Sequence, residues 1–280
     1  MFLFLFDVKK RGYSKSSIVK ENMQGVQSMA VNYDNLFIHR NAPPNVVEVY
    51  AINPFNEVPY ILPSSELEGV APSNVAARGH ALYVATYYNN KIHVFDTTSG
   101  TPQLVQRIPV NSVEKLFTTQ TTNYLVSVSQ SGEVNVFDIE QPFSPVQLPG
   151  SPVQLPPASG TLSAEVGDTM LGYRVDGYAF ILLRLADVAQ YEEPPFQTIS
   201  MSSNNFALGN ERIYFIAQVA YLDKYNTLNV FEEPYIMADN FYTGKSGMIN
   251  SFIYDADNEG PIPPVLMIGH SGAGYSSYTP

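Results

Sequence analysis

A sequence period near 45 residues, a scarcity of helical patterning and a recurring strand–turn–strand unit ending on an aromatic and an acid predict an all-β fold. That fold is a β-propeller of six blades, with seven as the alternative. The clearest unit lies in residues 80–110, "HALYVATYYNNKIHVFDTTSGTPQLVQRIPV", which read as strand, turn, strand, turn and strand. It recurs as "YLVSVSQSGEVNVFDIEQP" from Tyr124, placing Asp96 and Asp138 42 residues apart. Asn89-Asn90 and Ser131-Gly132 stand where a tight hairpin needs positive φ. Weaker copies fall in step at 45–63, where Tyr50 precedes Phe95 by 45 residues, and at 177–199 and 225–239, where Glu232 follows Asp187 by 45. The longest helical candidate, "SVEKLF" at 112–117, is too short to stand alone.

The first six residues are all apolar, and a basic cluster, Lys9, Lys10 and Arg11, follows them. A secretory signal places its charges before a longer apolar core and a small-residue cleavage site after it, so this pattern reads as a buried strand. No stretch approaches the roughly 20 apolar residues that cross a membrane as a helix. These features lead us to expect synthesis in a cytoplasm. "FLFLFDVKKRGYSKSSIV" parallels "HVFDTTSGTPQLVQRI", with Phe6-Asp7 in the place of Phe95-Asp96. Near the other end, "MINSFIYDADNEGPIPPVLMIGHSG" supplies two strands, Met248 to Tyr254 and Val265 to Gly269, without a Val-x-Phe-Asp strand after them. The expectation is one propeller domain over 1–280, in which 1–21 and 240–280 share the closing blade and leave no open edge.

"LYVATYYNNKIHVFDTTSG" is similar to the YVTN repeat of surface-layer and lactonase-like propellers, in which a Tyr-Val strand, an Asn turn and a Val-x-Asp-x-x-x-Gly hairpin follow one another. The close resemblance covers 80–100 and 124–138. It implies the propeller fold and says little about activity, because one motif of this kind serves many functions.

Charged residues make up 15% of the chain, against roughly 25% in ordinary soluble domains, while Tyr numbers 19 and Phe 16. A Tyr-rich surface of low charge suits contact with proteins or glycans, since tyrosine brings large area at small entropic cost. The net charge of −11 argues against a nucleic-acid partner, whose phosphates need a basic face. With no cysteine there is no disulfide framework, thiolate metal site or thiol nucleophile.

Asp255, Asp257 and Glu259 alternate before Gly260 in "YDADNEGP" and are the candidate metal ligands, for Ca²⁺. Position 12 of such a loop is Leu266 instead of an acid, so an acidic hairpin turn in water accounts for the pattern as well. "GHSGAG" at 269–274 approaches a nucleophile elbow around Ser271, but Ala273 replaces the last glycine and no helix follows. His39 and His93 read as packed strand residues, and His80 as a structural residue before a second strand. No two of the four histidines, His270 included, fall at a metal-ligand spacing. "SPVQLPGSPVQLPP" repeats its hexapeptide at 144–149 and 151–156 and reads as an outer strand and a stiff connection. "EEPP" at 192–195 and "EEP" at 232–234 read as equivalent solvated turns.

No catalytic residues and no cofactor are expected. The expected function is a non-catalytic propeller module, a structural, decoration or attachment component of a virus particle or surface assembly. Its partners would be other proteins of that assembly, or glycans. A lactonase-like hydrolase working at the central channel and a WD-type scaffold are the alternatives, although the chain has no Trp.

Overall fold

The computed structural model describes residues 25–41, 43–52, 56, 58–119, 121–160, 162–176, 179–200 and Leu208, together with the backbone of the strands outside them. Those outlying strands are Leu3–Leu5 (β1) and Ser17–Lys20 (β2) at one end. At the other lie Phe206–Gly209 (β20), Arg212–Phe215 (β21), Gln218–Leu222 (β22), Leu228–Glu232 (β23), Gly247–Ile253 (β24), Val265–His270 (β25) and Gly274–Tyr278 (β26). Between them run Val26–Val31 (β3), Asn35–Arg40 (β4), Val46–Ala51 (β5), Tyr60–Ile61 (β6), Pro72–Arg78 (β7), Ala81–Thr86 (β8), Lys91–Asp96 (β9) and Gln103–Pro109 (β10). The series continues with Lys115–Thr118 (β11), Tyr124–Val128 (β12), Glu133–Asp138 (β13), Val146–Gln147 (β14) and Val153–Gln154 (β15). Ser163–Val166 (β16), Met170–Arg174 (β17), Ala179–Arg184 (β18), the helix Leu185–Gln190 (α1) and Phe196–Ser200 (β19) complete it.

The strands form consecutive antiparallel meanders paired in chain order, β3 to β6, β7 to β10, β11 to β14, β16 to β19, β20 to β23 and β24 to β26, with β15 joining β13 beside β14 and with β1 and β2 as a separate pair. One backbone bond repeats through four of them. The residue after the third strand donates to the carbonyl just before the second, as Ile52 to Asp34, Thr97 to His80, Ile139 to Asn123 and Leu185 to Thr169, all at 2.8–2.9 Å. This recurrence is the predicted period expressed as geometry.

Middle and outer strands differ in pattern because they differ in cover. β8 is buried along its whole length, and β9, β13 and β18 everywhere but their ends, so they read as apolar runs instead of alternating. The outer β10 alternates exposed and half-buried residues over most of its length, as a strand solvated on one face must.

The chain divides into two compact units, Met1–Leu116 with Gln141–Ser144, and Phe117–Glu140 with Pro145–Pro280. In the first, Phe37, Val47 and Val49 pack with Leu82, Val84 and Phe95, and Val75 N–H donates to the Ser28 hydroxyl at 3.1 Å. The Tyr83 hydroxyl donates to the Pro142 carbonyl at 2.8 Å, which ties the 141–144 segment to this unit. In the second, Val126, Val136, Val153, Leu155, Leu171, Ile181 and Val188 share one cluster. Burying each such side chain contributes about 1.5–3 kcal/mol.

The duplicated hexapeptide serves both halves of one edge. Val146 and Gln147 pair with Asp138 and Phe137, and Val153 and Gln154 pair with Val134 and Glu133, so both copies bridge to β13. Between the bridges the ladder is completed locally: Val136 N–H donates to the Ser151 hydroxyl at 3.0 Å, and Leu148 N–H to the Val136 carbonyl at 3.0 Å. Ser151→Ala is therefore expected to cost about 1 kcal/mol by stripping Val136 of its acceptor, measurable by denaturant unfolding. Gly150, the hinge between the copies, donates to the Val188 carbonyl of α1, and a Cβ there would lie 2.1 Å from the Tyr191 carbonyl oxygen.

The "SVEKLF" segment, too short for a helix, contributes most of strand β11. Three local expectations change. β18 ends at Arg184, so Asp187 lies inside α1 and is not the counterpart of Glu232, which closes β23. Only the second residue of each hairpin pair has positive φ, Asn90 at 53° and Gly132 at 85°. The C-terminal sheet has a third strand, β26, which the reading of two strands there did not include.

Candidate functional site

The 3-10 turn Ser64–Leu67 ends on Glu68, whose φ of 57° is left-handed and whose N–H returns to the turn's carbonyls. That conformation delivers the Glu68 side chain to the ends of β9 and β10. Lys91, the first residue of β9, places Nζ 3.0 and 2.7 Å from the two carboxylate oxygens. Arg107 on β10 brings Nε to 3.2 Å from Oε1, and Asn89 Nδ2 donates to Oε2 at 3.1 Å. Hydrogen bonding from Lys91 lowers the Glu68 pKa below the usual carboxylate range, with the Lys91 and Arg107 charges adding to it.

The β8–β9 hairpin fixes Asn89 from the other side. The Thr86 hydroxyl donates to Asn89 Oδ1 and to the Lys91 carbonyl, and Asn90 accepts Val110 N–H at 2.9 Å. This turn differs by a residue from its copy: the last pair is Ala85 with Ile92 here and Val128 with Val134 there. Its tip carries Tyr87 and Tyr88, 41% and 86% exposed, with ring centroids 6.0 Å apart.

His93 lies buried under the cluster. Burial first, and then the Arg107 and Lys91 charges, push it down to about 4, so its imidazole is neutral at pH 7. Its Nε2 lies 3.5 Å from Asn89 Nδ2. His39, also buried, has Nε2 3.0 Å from Asn45 Oδ1, and its pKa is likewise lowered by burial. His80 sits 3.9 Å from Asp34 and 5.9 Å, ring to ring, from Tyr33. The three histidines occupy separate places, as packed strand residues and a residue before a second strand.

Asp255, Asp257 and Glu259 lie outside the described residues, as does Ser271. Among the described residues no group of three or more His, Asp or Glu gathers as metal ligands would. Sequence reasoning missed the Glu68, Lys91 and Arg107 set. These residues join only through the fold, and the one local signal was "ELEG", an acid beside a glycine at a turn's end.

No protein-family model matches the chain, and no curated protein matches it in sequence. Solved structures do match. The WD40 repeats of RRP9 align over 93% of this chain and 78% of that one at 11% identity, with a TM-score of 0.58. A protein from Lactobacillus plantarum aligns over 82% and 80% at 12% identity, TM-score 0.52, and Kluyveromyces lactis Hsv2 over 91% and 74% at 12% identity, TM-score 0.51. WD40 repeats build β-propellers, with four strands to a blade. Together with the repeated meanders, the likeness shows an all-β protein of the β-propeller fold. At these identities it is a likeness of fold alone.

Proposed function

We propose that this chain is a non-catalytic β-propeller that joins other proteins, as a structural, decoration or attachment component of a virus particle or surface assembly. The observation that carries the reading is the β8–β9 tip, where the largely exposed Tyr88 adjoins an Asn89 pinned to a charged network. An exposed aromatic beside fixed polar groups suits an interface anchor. The low charge and abundance of Tyr across the chain point the same way. No helix among the described residues is long and apolar enough to cross a membrane.

Six blades, in one domain over 1–280, fit the sheet count: five meanders of four or five strands, plus a three-stranded C-terminal sheet and the N-terminal pair. The closing blade would be shared by 1–21 and 240–280. Support for closure comes from Leu36, Ile38 and Tyr50, which are buried in a cluster separate from that of Phe37 and Val47, so the first sheet has cover on both faces. The Asp255, Asp257 and Glu259 loop is the place for Ca²⁺ in this reading.

The test is purification from the native source under mild conditions, followed by mass measurement and activity assays against lactones with and without added metal. A stoichiometric partner or particle, without turnover, is expected. A lone monomer that hydrolyses lactones with a metal held by three protein ligands would overturn the reading.

A further inference from the structure

Lys91 and Arg107 share a single carboxylate, Glu68, so the cluster carries one cation more than it balances. Arg107 uses Nε for that contact, and its two terminal nitrogens make no hydrogen bond among the described residues. Both side chains remain reachable, Lys91 at 34% and Arg107 at 39% exposed. The surplus is felt below: both cations bear on buried His93 in the direction that disfavours its charged form. A local positive surplus on a chain of net charge −11 attracts a short acidic segment, while the surrounding field repels a long polyanion.

The edge beside it has the right form for a peptide. β10 is the last strand of its sheet and seven residues long, whereas β6, β14 and β15 have two residues each and β19 has five. Its register against β9 shifts between Leu104 and Gln106, leaving Val105 half exposed two residues before Arg107. An unpaired edge offers ladder hydrogen bonds to an extended chain, and alternate side chains then choose the sequence.

We propose that the outer edge of β10 takes an extended acidic peptide from a protein partner, and that a carboxylate of that peptide pairs with the free fork of Arg107 beside Lys91. The proposal names the partner chemistry of the interaction module inferred above and rests on that reading.

The test titrates the full chain against a fluorescein-labelled, end-blocked heptapeptide of alternating Thr and Glu, a Thr and Lys counterpart, and a Glu version N-methylated at alternate residues. The Glu probe should bind, and the Lys probe should not. Arg107→Ala should weaken binding about tenfold or more, as loss of a charge-assisted pair does. Glu68→Gln should tighten it, Arg107→Glu should transfer preference to the Lys probe, and N-methylation should weaken binding by disrupting the ladder. Unchanged thermal midpoints would show that the exposed variants remain folded. Absence of Glu-probe binding up to about 1 mM, indifference to Arg107→Ala, or equal binding of the N-methylated probe would each overturn the proposal. Those outcomes leave the assembly reading to stand or fall on its own test, the partner found with the native protein.

Discussion

Gly132→Ala is expected to destabilise the protein by about 3–5 kcal/mol, among the larger effects of a single substitution. Gly132 has φ of 85°, where an L side chain costs about 1–2 kcal/mol by itself. A Cβ there would also stand 2.1 Å from the Leu155 carbonyl oxygen and 2.8 Å from that of Pro156. Both are backbone atoms of the strand edge that the second hexapeptide supplies, and Leu155 N–H already donates to Gly132 O at 2.9 Å, so neither side can withdraw cheaply. Gly100 is the control, with φ of 79° and nothing within 4 Å of its Cβ position. Gly100→Ala should cost only the conformational part, about 1 kcal/mol. Denaturant unfolding of the two variants separates the effects, and equal losses would show that the close approach of Leu155 carries no weight.

Glu165→Gln is expected to stabilise the protein by about 1–3 kcal/mol at pH 8 and to leave it unchanged near pH 4. Burial pushes the Glu165 carboxyl up to about 7, with the backbone N–H of Leu208 opposing it. The folded state therefore holds this proton after the unfolded chain has released it. Stability falls as pH rises from about 4.5, the ordinary glutamate value, to about 7, and the loss is complete above that. Gln keeps an acceptor for Leu208 N–H and removes the charge. His93 works in the other direction: its folded pKa of about 4 lies below the ordinary 6.5, so stability is lost as pH falls through that interval. His39 adds to the same side. The two slopes oppose one another between about pH 4.5 and 6.5, giving the parent protein a shallow profile. Glu165→Gln should unmask a profile that rises with pH, and an unchanged profile measured by thermal unfolding would refute the assignment.

The parts of the fold legible in the sequence were those written locally. The Phe-Asp ends of β9 and β13 repeat because those two meanders share one local pattern, and Asn90 and Gly132 do occupy the left-handed positions their residue types suggest. The helix Leu185–Gln190 was hidden because "LRLADVAQ" follows an apolar strand without a capping residue; its N-cap is Arg184, which makes no side-chain cap. The two roles of the duplicated hexapeptide depend on which strand its copies meet, and periodicity does not carry that. The charged cluster was less legible still. Glu68, Lys91 and Arg107 belong to a turn, a strand start and an outer strand, and they meet through the pairing of β9 with β10, which sets Arg107 opposite His93, together with the left-handed turn at Glu68.

Closure of the ring is tested most directly by thermal unfolding of the chain lacking residues 1–20. A closing blade deprived of its N-terminal strands would leave the sheet edge open, and the midpoint of the whole domain should fall by about 10 °C or more. A truncated protein that unfolds at the parent's midpoint, in one transition of the same steepness, would contradict a propeller shut by its termini.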